Sequence, residues 1–331
     1  MKLKIIKLLI LVLVWSLPIA LSTANASDGT FKLLTLNLLF SEPTTSPSSD
    51  GAERFTSVAN FILKENIDCV LCQEVVGGEL ARELGLTEAI NSSLDLKSRL
   101  GDYKLTYRLA NGIPFIFSVG NALFCKKPID IKWTVSKTLP FASEVTINDI
   151  DIKLRRIIMG SLIEVPGFGR LLLFNVHLCS FCSTDQRQAQ IKEALEFIST
   201  VKNWVHGIYG EVPCVFGGDF NISDNGSDGS AQGEYNSIIT AGFSDAYAET
   251  NSCTDFGTCC IPKDEPSIVE EGCTFAVDDN PFEHDPLQTT RIDYFFLQGL
   301  EAVSAKVVFD GTEDNGPFVS DHSGVVVEMS P

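Results

Sequence analysis

The sequence predicts an α+β fold in which β-sheets pack together and helices cover them. Seven short apolar runs have the length and residue content of buried strands. Two longer segments carry apolar residues at helical spacing. Strands and helices do not alternate strictly, which favours packed sheets flanked by helices over a doubly wound parallel sheet.

The predicted elements follow one another along most of the chain. The strands are Phe31 to Leu36, Cys69 to Cys72, Ile157 to Val165, Leu171 to Val176, Val212 to Phe216, Tyr294 to Leu297 and Val325 to Val327. The helices are Ala52 to Glu65 and Gln186 to Val205, and Thr184-Asp185 is the predicted N-cap of the second. The polar segments between them are too short to be interdomain linkers, so we expect one domain over residues 27–331.

The N-terminus has the pattern of a secretory signal peptide. Three lysines precede an apolar stretch, and Ala24-Asn25-Ala26 is a small-x-small cleavage site. An uncleaved anchor is the alternative, but the stretch holds about 14 residues and a membrane-spanning helix needs about 20. We therefore expect a signal peptide at residues 1–26 and a secreted or periplasmic protein.

Composition limits the classes of function. The chain is 44% hydrophobic and contains 22 phenylalanines, which excludes wholesale disorder. Its 43 acidic against 25 basic residues, a formal charge of -18, argue against broad wrapping of nucleic acid or of an anionic membrane. A nuclease is not excluded, because a bound cation can supply the positive charge that a phosphate needs.

Ten cysteines are typical of an oxidising compartment. Cys69 and Cys72 lie three positions apart in a predicted strand, a separation of about 10 Å that exceeds the roughly 7 Å limit for a disulfide. They should not pair with each other, whereas Cys179 and Cys182 can pair within a loop. Four cysteines should cross-link the segment from residue 251 to 285, without a bond between the adjacent two: Cys253, Cys259, Cys260 and Cys273.

Polar side chains stand at the ends of six predicted strands. They are Asn37, Glu74, His177, the pair Asp219 and Asn221, Asp293, and the pair Asp321 and His322. Singly, each is typical of a turn at a strand end. Together they include two of only four histidines, and this combination predicts one shared site.

In this order the residues resemble the endonuclease/exonuclease/phosphatase superfamily, metal-dependent phosphoesterases that include deoxyribonucleases, neutral sphingomyelinases and inositol-polyphosphate phosphatases. The most specific motifs are Gly218-Asp-Phe-Asn221 and Ser320-Asp-His322, and Gly120 to Ile129 is similar to a central segment of the family. The resemblance runs from Leu34 to Val327. It implies a deoxyribonuclease-like four-layer α/β/β/α sandwich, with the site at one edge of its two sheets.

The resemblance also implies catalytic roles. His322 is the general base and Asp293 holds its ring. Asp219 orients the attacking water, and in some relatives the equivalent residue is considered the base instead. Asn221 and His177 donate hydrogen bonds to phosphate oxygens as charge develops.

A divalent cation and two substrate contacts complete the implied site. Asn37, Glu74 and Asp321 are the expected metal ligands, and their oxygens suit Mg²⁺, with Mn²⁺ or Ca²⁺ as alternatives. No compact His/Asp/Cys set suited to zinc is evident in the sequence. Asn121 and Arg156 are the expected substrate contacts, and the alternative for Arg156 is a solvated pair with the arginine before it.

The substrate is the least constrained part of the prediction. The segments Asp185 to Gln190 and Phe243 to Thr250, with the later Cys-Thr, Asn-Pro and Arg-Ile-Asp-Tyr motifs, resemble neutral sphingomyelinases, which convert sphingomyelin to ceramide and phosphocholine. We therefore favour a lipid headgroup as the partner, with peripheral membrane contact, and DNA is second. An inositol-phosphate phosphatase follows, and a non-enzymatic binding relative is disfavoured because Glu74, Asp219 and His322 are all present. No protein partner can be inferred, and we expect a monomer.

Overall fold

Two β-sheets pack face to face, and helices cover their outer surfaces. The computed structural model describes residues 29–39, 51–77, 91–113, 117–147, 150–223, 230–251, 253, 256, 258–260, 272–275, 277, 280–282 and 289–331. The predicted signal peptide lies outside these residues. None of the described helices is long and apolar enough to cross a bilayer.

Twelve strands and five helices lie within the described residues. The strands are β1 (Phe31–Asn37), β2 (Cys69–Gly77), β3 (Tyr103–Ile113), β4 (Phe117–Lys126), β5 (Asp130–Ile147), β6 (Ile150–Val165), β7 (Gly169–His177), β8 (Cys214–Asp219), β9 (Ser244–Asp245), β10 (Asp293–Gln298), β11 (Glu301–Val308) and β12 (Gly324–Ser330). The helices are α1 (Gly51–Lys64), α2 (Ser92–Leu100), α3 (Thr184–Tyr209), α4 (Ser230–Thr240) and α5 (Ala246–Thr250).

Both sheets are mixed. The first has the order β11-β12-β1-β2-β4-β3, and the second has the order β5-β6-β7-β8-β10-β9. Within each, one central pair is parallel, β1 with β2 and β7 with β8, and the other pairs are antiparallel. The expected α/β/β/α sandwich is confirmed.

The core has three main layers, which explains why the central strands are apolar on both faces. In β1, Leu33 belongs to the cluster between the sheets, and Leu34 and Leu36 face the cluster under α1 and α2. A third cluster joins the second sheet to α3 and includes Ile191 and Phe216. Burial on both faces produces continuous apolar runs rather than alternation.

The predicted strands all exist, and most of the strands that were not predicted lie at sheet edges. The edge strands β3, β5, β9 and β11 are absent from the prediction, and most described side chains of β3, β5 and β11 are partly or fully exposed. Both predicted helices exist with bounds shifted by a few residues. The expected N-cap Thr184-Asp185 is wrong, since Ser183 caps α3 and exchanges side-chain hydrogen bonds with Gln186 in a capping box.

The cysteine pairing follows the predicted restrictions. Disulfides join Cys69 to Cys125, Cys179 to Cys182, Cys253 to Cys259 and Cys260 to Cys273. Cys69 and Cys125 are register partners on neighbouring antiparallel strands, so their side chains meet directly. Cys72 and Cys214 are free thiols and both are buried.

Candidate active site

The parallel strand pairs bring their carboxyl ends to one edge of the sandwich. His177 lies opposite Asp219 in the register of β7 and β8, and Asn37 lies opposite Gln73 in β1 and β2. The antiparallel strand β10 begins at this edge and places Asp293 opposite Asp219. Residues far apart in the sequence are therefore neighbours here.

Gly218 allows β7 and β8 to approach closely in front of the site. Its φ is 136°, and a Cβ at this position would lie 2.1 Å from the carbonyl oxygen of Val176. Any side chain would push the strands apart. Glycine therefore lets Asp219 reach His177.

Asp219 is the buried centre of the site. Its Oδ2 accepts a hydrogen bond from Asn37 Nδ2 at 3.0 Å, and His177 Nε2 lies 3.3 Å from the same oxygen. Its Oδ1 accepts from the backbone N–H of Asn221 at 3.0 Å, and the Asn221 side chain donates to the Leu178 carbonyl. The carboxylate is thus held on both oxygens.

The environment makes Asp219 an unusually strong base for a carboxylate. Burial raises its pKa to about 7. The positive charge of His322 and the hydrogen bond from Asn37 oppose this rise, whereas the carboxylates of Asp293 and Glu74 add to it. A group with a pKa near neutrality can accept or return a proton under ordinary conditions.

His177 is positioned as a neutral hydrogen-bond donor. Arg156 Nη1 donates to His177 Nδ1 at 3.1 Å, so the ring proton resides on Nε2. This Nε2 lies 3.3 Å from Asp219 Oδ2 and 4.0 Å from Glu74 Oε1. Burial, together with the positive charges of Arg156 and His322, lowers the pKa of His177 well below its usual value.

Arg156 is buried in the middle of β6, and only Arg155 beside it is exposed. The alternative of a solvated pair is therefore wrong for Arg156. Its guanidinium reaches His177 and the Ser180 hydroxyl, and its Nε is buried without a hydrogen-bond partner. A buried cation at this edge favours an anionic ligand.

His322 and Asp293 form a second buried pair. His322 Nδ1 donates to Asp293 Oδ2 at 2.9 Å, which leaves Nε2 facing Asn37 Nδ2 at 3.4 Å and Asp219 Oδ2 at 3.8 Å. Burial by itself lowers the pKa of His322, but the carboxylates of Asp293, Asp219 and Asp321 outweigh it and raise that pKa well above its usual value. The pair thus provides an oriented imidazole of high basicity.

The segment that follows the Cys260–Cys273 disulfide contacts this pair. Thr274 Oγ1 accepts the backbone N–H groups of Ile292 at 3.0 Å and Asp293 at 3.1 Å. Phe275 pairs with His322 through a β-bridge, and their ring centroids lie 4.8 Å apart. Thr274 and Phe275 therefore fix the backbone of Asp293 and the ring of His322.

Glu74 lies at a β-bulge in β2. The register shifts between Cys72 and Val75, and Glu74 has a φ of 53°, in the left-handed region that non-glycine residues rarely adopt. Beside it, Gln73 Nε2 donates to Asn175 Oδ1 at 2.8 Å. The bulge turns the Glu74 side chain toward His177, and 23% of that side chain is exposed.

Asn121 and Asp321 lie at the periphery of this network. Asn121 is buried and its Nδ2 donates to the Asn175 carbonyl at 3.3 Å. Asp321 Oδ1 accepts from the Ser320 hydroxyl at 3.1 Å, and its charge acts on His322. Both residues lie at the predicted edge of the sandwich, outside the group formed by Asp219, Asp293 and His322.

The oxygen donors of the site suit a hard divalent cation. Asp219, Asp293 and His322 each offer a ligand atom within 4.8 Å of the others. Asp293 Oδ1 is buried without a hydrogen-bond partner, and Glu74 adds a carboxylate at the mouth. No compact His/Asp/Cys set is evident in the sequence, and folding joins these three residues from distant segments. Carboxylate and amide oxygens are the ligands that Mg²⁺ prefers.

Sequence reasoning assigned no role to three supporting residues. Asn175 lies two residues before His177 on the same strand face, and that spacing is a usable signal. Gln73 precedes Glu74 directly. Thr274 acts on the backbone of a distant strand, and the sequence carries no signal of that contact.

Family comparison agrees with this geometry. The sequence model described as "Endonuclease/Exonuclease/phosphatase family" matches residues 34–322, most of the chain. The chain belongs to the endonuclease/exonuclease/phosphatase family. Members of this family hydrolyse phosphoesters. Among curated proteins, none matches this sequence.

Solved structures of the endonuclease/exonuclease/phosphatase family share the fold. A family protein from Bacteroides thetaiotaomicron is 18% identical, with a TM-score of 0.60 over 91% of this chain and 97% of the other. The mannosyl-6-phosphatase of Bacteroides thetaiotaomicron VPI-5482 is also 18% identical, with a TM-score of 0.60 over 91% and 100%. D. rerio TDP2, in a complex with a single-strand DNA product, is 15% identical, with a TM-score of 0.61 over 92% and 100%. At these identities the comparison establishes the fold.

Proposed function

We propose that this family member is an exported, Mg²⁺-dependent phosphodiesterase that hydrolyses sphingomyelin to ceramide and phosphocholine. The observation that carries phosphodiester hydrolysis is the buried chain of Asp293, His322 and Asp219 beside the buried cation Arg156. It combines proton acceptors with groups that bind an anion. These are the requirements for water attack on a phosphodiester.

His322 is the proposed base. Its Nε2 takes a proton from the attacking water, while Asp293 Oδ2 accepts the hydrogen bond from Nδ1–H and stabilises the imidazolium that forms. Asp219 Oδ2 lies 3.8 Å from Nε2, close enough to hold a water against the ring. Asp219 is the alternative base that the resemblance implies, and a pKa of about 7 suits that role as well.

Three groups bind the phosphate. Neutral His177 presents its Nε2–H, and Asn221 retains one amide N–H after its bond to the Leu178 carbonyl. The Arg156 guanidinium supplies positive charge from a buried position next to His177. Because these donors are fixed before substrate binds, little reorganisation is needed as charge develops on the phosphate oxygens.

Glu74, Asn37 and Asp321 are the residues that would hold Mg²⁺ in this site. Asn37 Oδ1 accepts one hydrogen bond, from the Leu39 N–H at 3.0 Å, and keeps a second lone pair. When bound, the cation neutralises charge on the phosphate and assists the leaving oxygen.

Charge supports a lipid headgroup over a long polyanion. The formal net charge of -18 opposes accumulation of nucleic acid, and phosphocholine is zwitterionic. The motif resemblance to neutral sphingomyelinases points to the same substrate. The predicted leader and the four disulfides suit a protein that meets lipid outside the cytoplasm.

A side-by-side turnover assay tests the proposal. Purified protein is incubated with sphingomyelin vesicles, plasmid DNA and an inositol phosphate, each with Mg²⁺ or with a chelator. We expect Mg²⁺-dependent release of phosphocholine and intact plasmid. Plasmid nicking without phosphocholine release would overturn the substrate assignment.

A nuclease is the second candidate. The structure of TDP2 with a single-strand DNA product shows that this fold accommodates a DNA strand in that protein. The single-stranded form belongs in the same assay, because it distinguishes a nuclease that needs unpaired bases from one that nicks duplex DNA.

A further inference from the structure

Two exposed phenylalanines stand beside the Arg156–His177 side of the site. Phe141 is 51% exposed and Phe181 is 75% exposed, the largest value among the exposed large apolar side chains of the described residues. We call these two residues the aromatic rim. Exposed aromatic side chains next to a site are more informative than ones scattered elsewhere on the surface.

Phe181 belongs to a loop that follows β7 directly. The loop begins one residue after His177 and is closed by the Cys179–Cys182 disulfide. Its Ser180 hydroxyl accepts from Arg156 Nη2 at 3.5 Å. The residue before Phe181 therefore contacts the buried arginine of the site.

Phe141 lies at the irregularity in β5 that faces the same arginine. The register with β6 shifts between Thr138 and Ala142, opposite the stretch that contains Arg156. Phe141 has a φ of 61°, a left-handed conformation that is costly for an aromatic residue. The surrounding structure must hold this conformation.

One buried side chain holds both parts of the rim. Gln190 is fully buried, and its Nε2 donates to the carbonyls of Pro140 at 2.8 Å and Phe141 at 3.4 Å. Its Oε1 accepts the backbone N–H of Cys179 at 3.0 Å. The two exposed rings are therefore presented by one cross-linked unit, which lowers the entropy cost of binding through them.

The charges around the rim are of both signs. Lys137 forms an ion pair with Glu193 on α3. Arg155 is exposed beside the β5 irregularity, and Asp185 is exposed just after the disulfide loop. Charged side chains of both signs on an acidic protein complement a zwitterionic lipid surface better than they complement a polyanion.

We propose that the aromatic rim docks on a bilayer surface rich in phosphocholine headgroups and delivers the phosphoester to Arg156 and His177. This inference rests on the proposed lipid substrate and identifies how the site reaches it. Phe141 and Phe181 enter the interfacial region, and the rigid loops keep the site at headgroup depth.

The test compares a double variant, Phe141→Ser with Phe181→Ser, with a matched control. Ile208→Ser is the control: Ile208 is 55% exposed and lies near the end of α3, about 36 Å along the helix from its start. Flotation with sphingomyelin–phosphatidylcholine vesicles measures binding in the presence of a chelator. Turnover is measured on the vesicles and on soluble bis(4-nitrophenyl) phosphate, and circular dichroism checks folding.

We expect the double variant to lose vesicle affinity by about 100-fold, since each buried phenylalanine contributes about tenfold. The ratio of vesicle turnover to soluble-diester turnover should fall in parallel, and Phe181→Trp should retain binding. The Ile208→Ser control should match the wild type.

Unchanged vesicle binding in the double variant overturns the docking inference. Loss of binding to a single-stranded oligonucleotide with vesicle binding intact also overturns it and assigns the rim to base stacking. Rim-dependent vesicle binding without phosphocholine release supports docking and refutes the sphingomyelinase assignment, so the two failures are distinguishable.

Discussion

Replacing Thr274 by valine removes the single acceptor of two buried backbone donors. Thr274 is fully buried, and its Oγ1 accepts the N–H groups of Ile292 and Asp293. Each unsatisfied buried donor costs about 1–3 kcal/mol, so Thr274→Val, which leaves two of them, should lower the free energy of unfolding by roughly 2–6 kcal/mol. The shape of the side chain is nearly unchanged, so the effect reports the hydrogen bonds.

The same change should impair turnover, because the Asp293 backbone carries the carboxylate that orients His322. A displacement of about 1 Å at a reacting group can cost ~10²-fold in rate, and we expect kcat to fall by about 10- to 100-fold. KM should change less, because the phosphate-binding groups His177 and Arg156 lie on other strands.

Thr274→Ser is the matched control, since it keeps the hydroxyl and loses one buried methyl group, worth about 1 kcal/mol. Urea unfolding measures stability, and steady-state hydrolysis of bis(4-nitrophenyl) phosphate measures turnover. If valine and serine variants differ by less than ~0.5 kcal/mol and turn over equally, Thr274 does not position Asp293 and the reasoning is refuted.

Three further predictions concern the metal, the base and the free thiols. The Glu74→Gln variant should need more Mg²⁺ for activation, and its activity should recover at high Mg²⁺ by mass action. The His322→Ala variant should lose ~10²–10⁴-fold in turnover, while the Mg²⁺ concentration that gives half-maximal activation stays unchanged. Rescue of the His322 variant by Mg²⁺ would contradict these roles. Asp293 helps to raise the pKa of His322, so Asp293→Asn should shift the acidic limb of the kcat/KM profile to lower pH as well as reduce its plateau; a limb that stays in place would exclude His322 as the base. Cys72 and Cys214 are buried, and burial raises the pKa of Cys214 to about 11, so alkylating reagents should label them only after denaturation, as mass spectrometry of native and denatured protein would show.

The strand prediction succeeded where burial imposes a pattern and failed where it does not. Central strands such as β1 and β7 are covered on both faces and contain uninterrupted apolar residues. Edge strands such as β5 and β11 carry many exposed side chains, so their composition resembles that of loops. The missing strands therefore reflect their position at the sheet edges.

The site was largely predictable because its chemistry is carried by rare residue types at strand ends. Asp219, His177 and His322 follow or precede apolar runs, and their order along the chain matched a known family. Gln190 and Thr274 were not predictable in the same way. They act by bonding to backbone groups of distant segments, and any polar residue can do so once folding has placed it there.

The sequence by itself determined the α+β class, the family resemblance, the reaction class and the residues that form the predicted edge. These properties depend on residue type and local order, which periodicity and motifs record. Only the tertiary structure decided which atoms meet: that Arg156 is buried against His177, that Asp219 lies within reach of both histidines, and that Gln190 joins two exposed phenylalanines beside them. The reason is physical, since burial and hydrogen-bond distance depend on the register between strands and on the packing of the two sheets, and these arise from contacts across the whole chain.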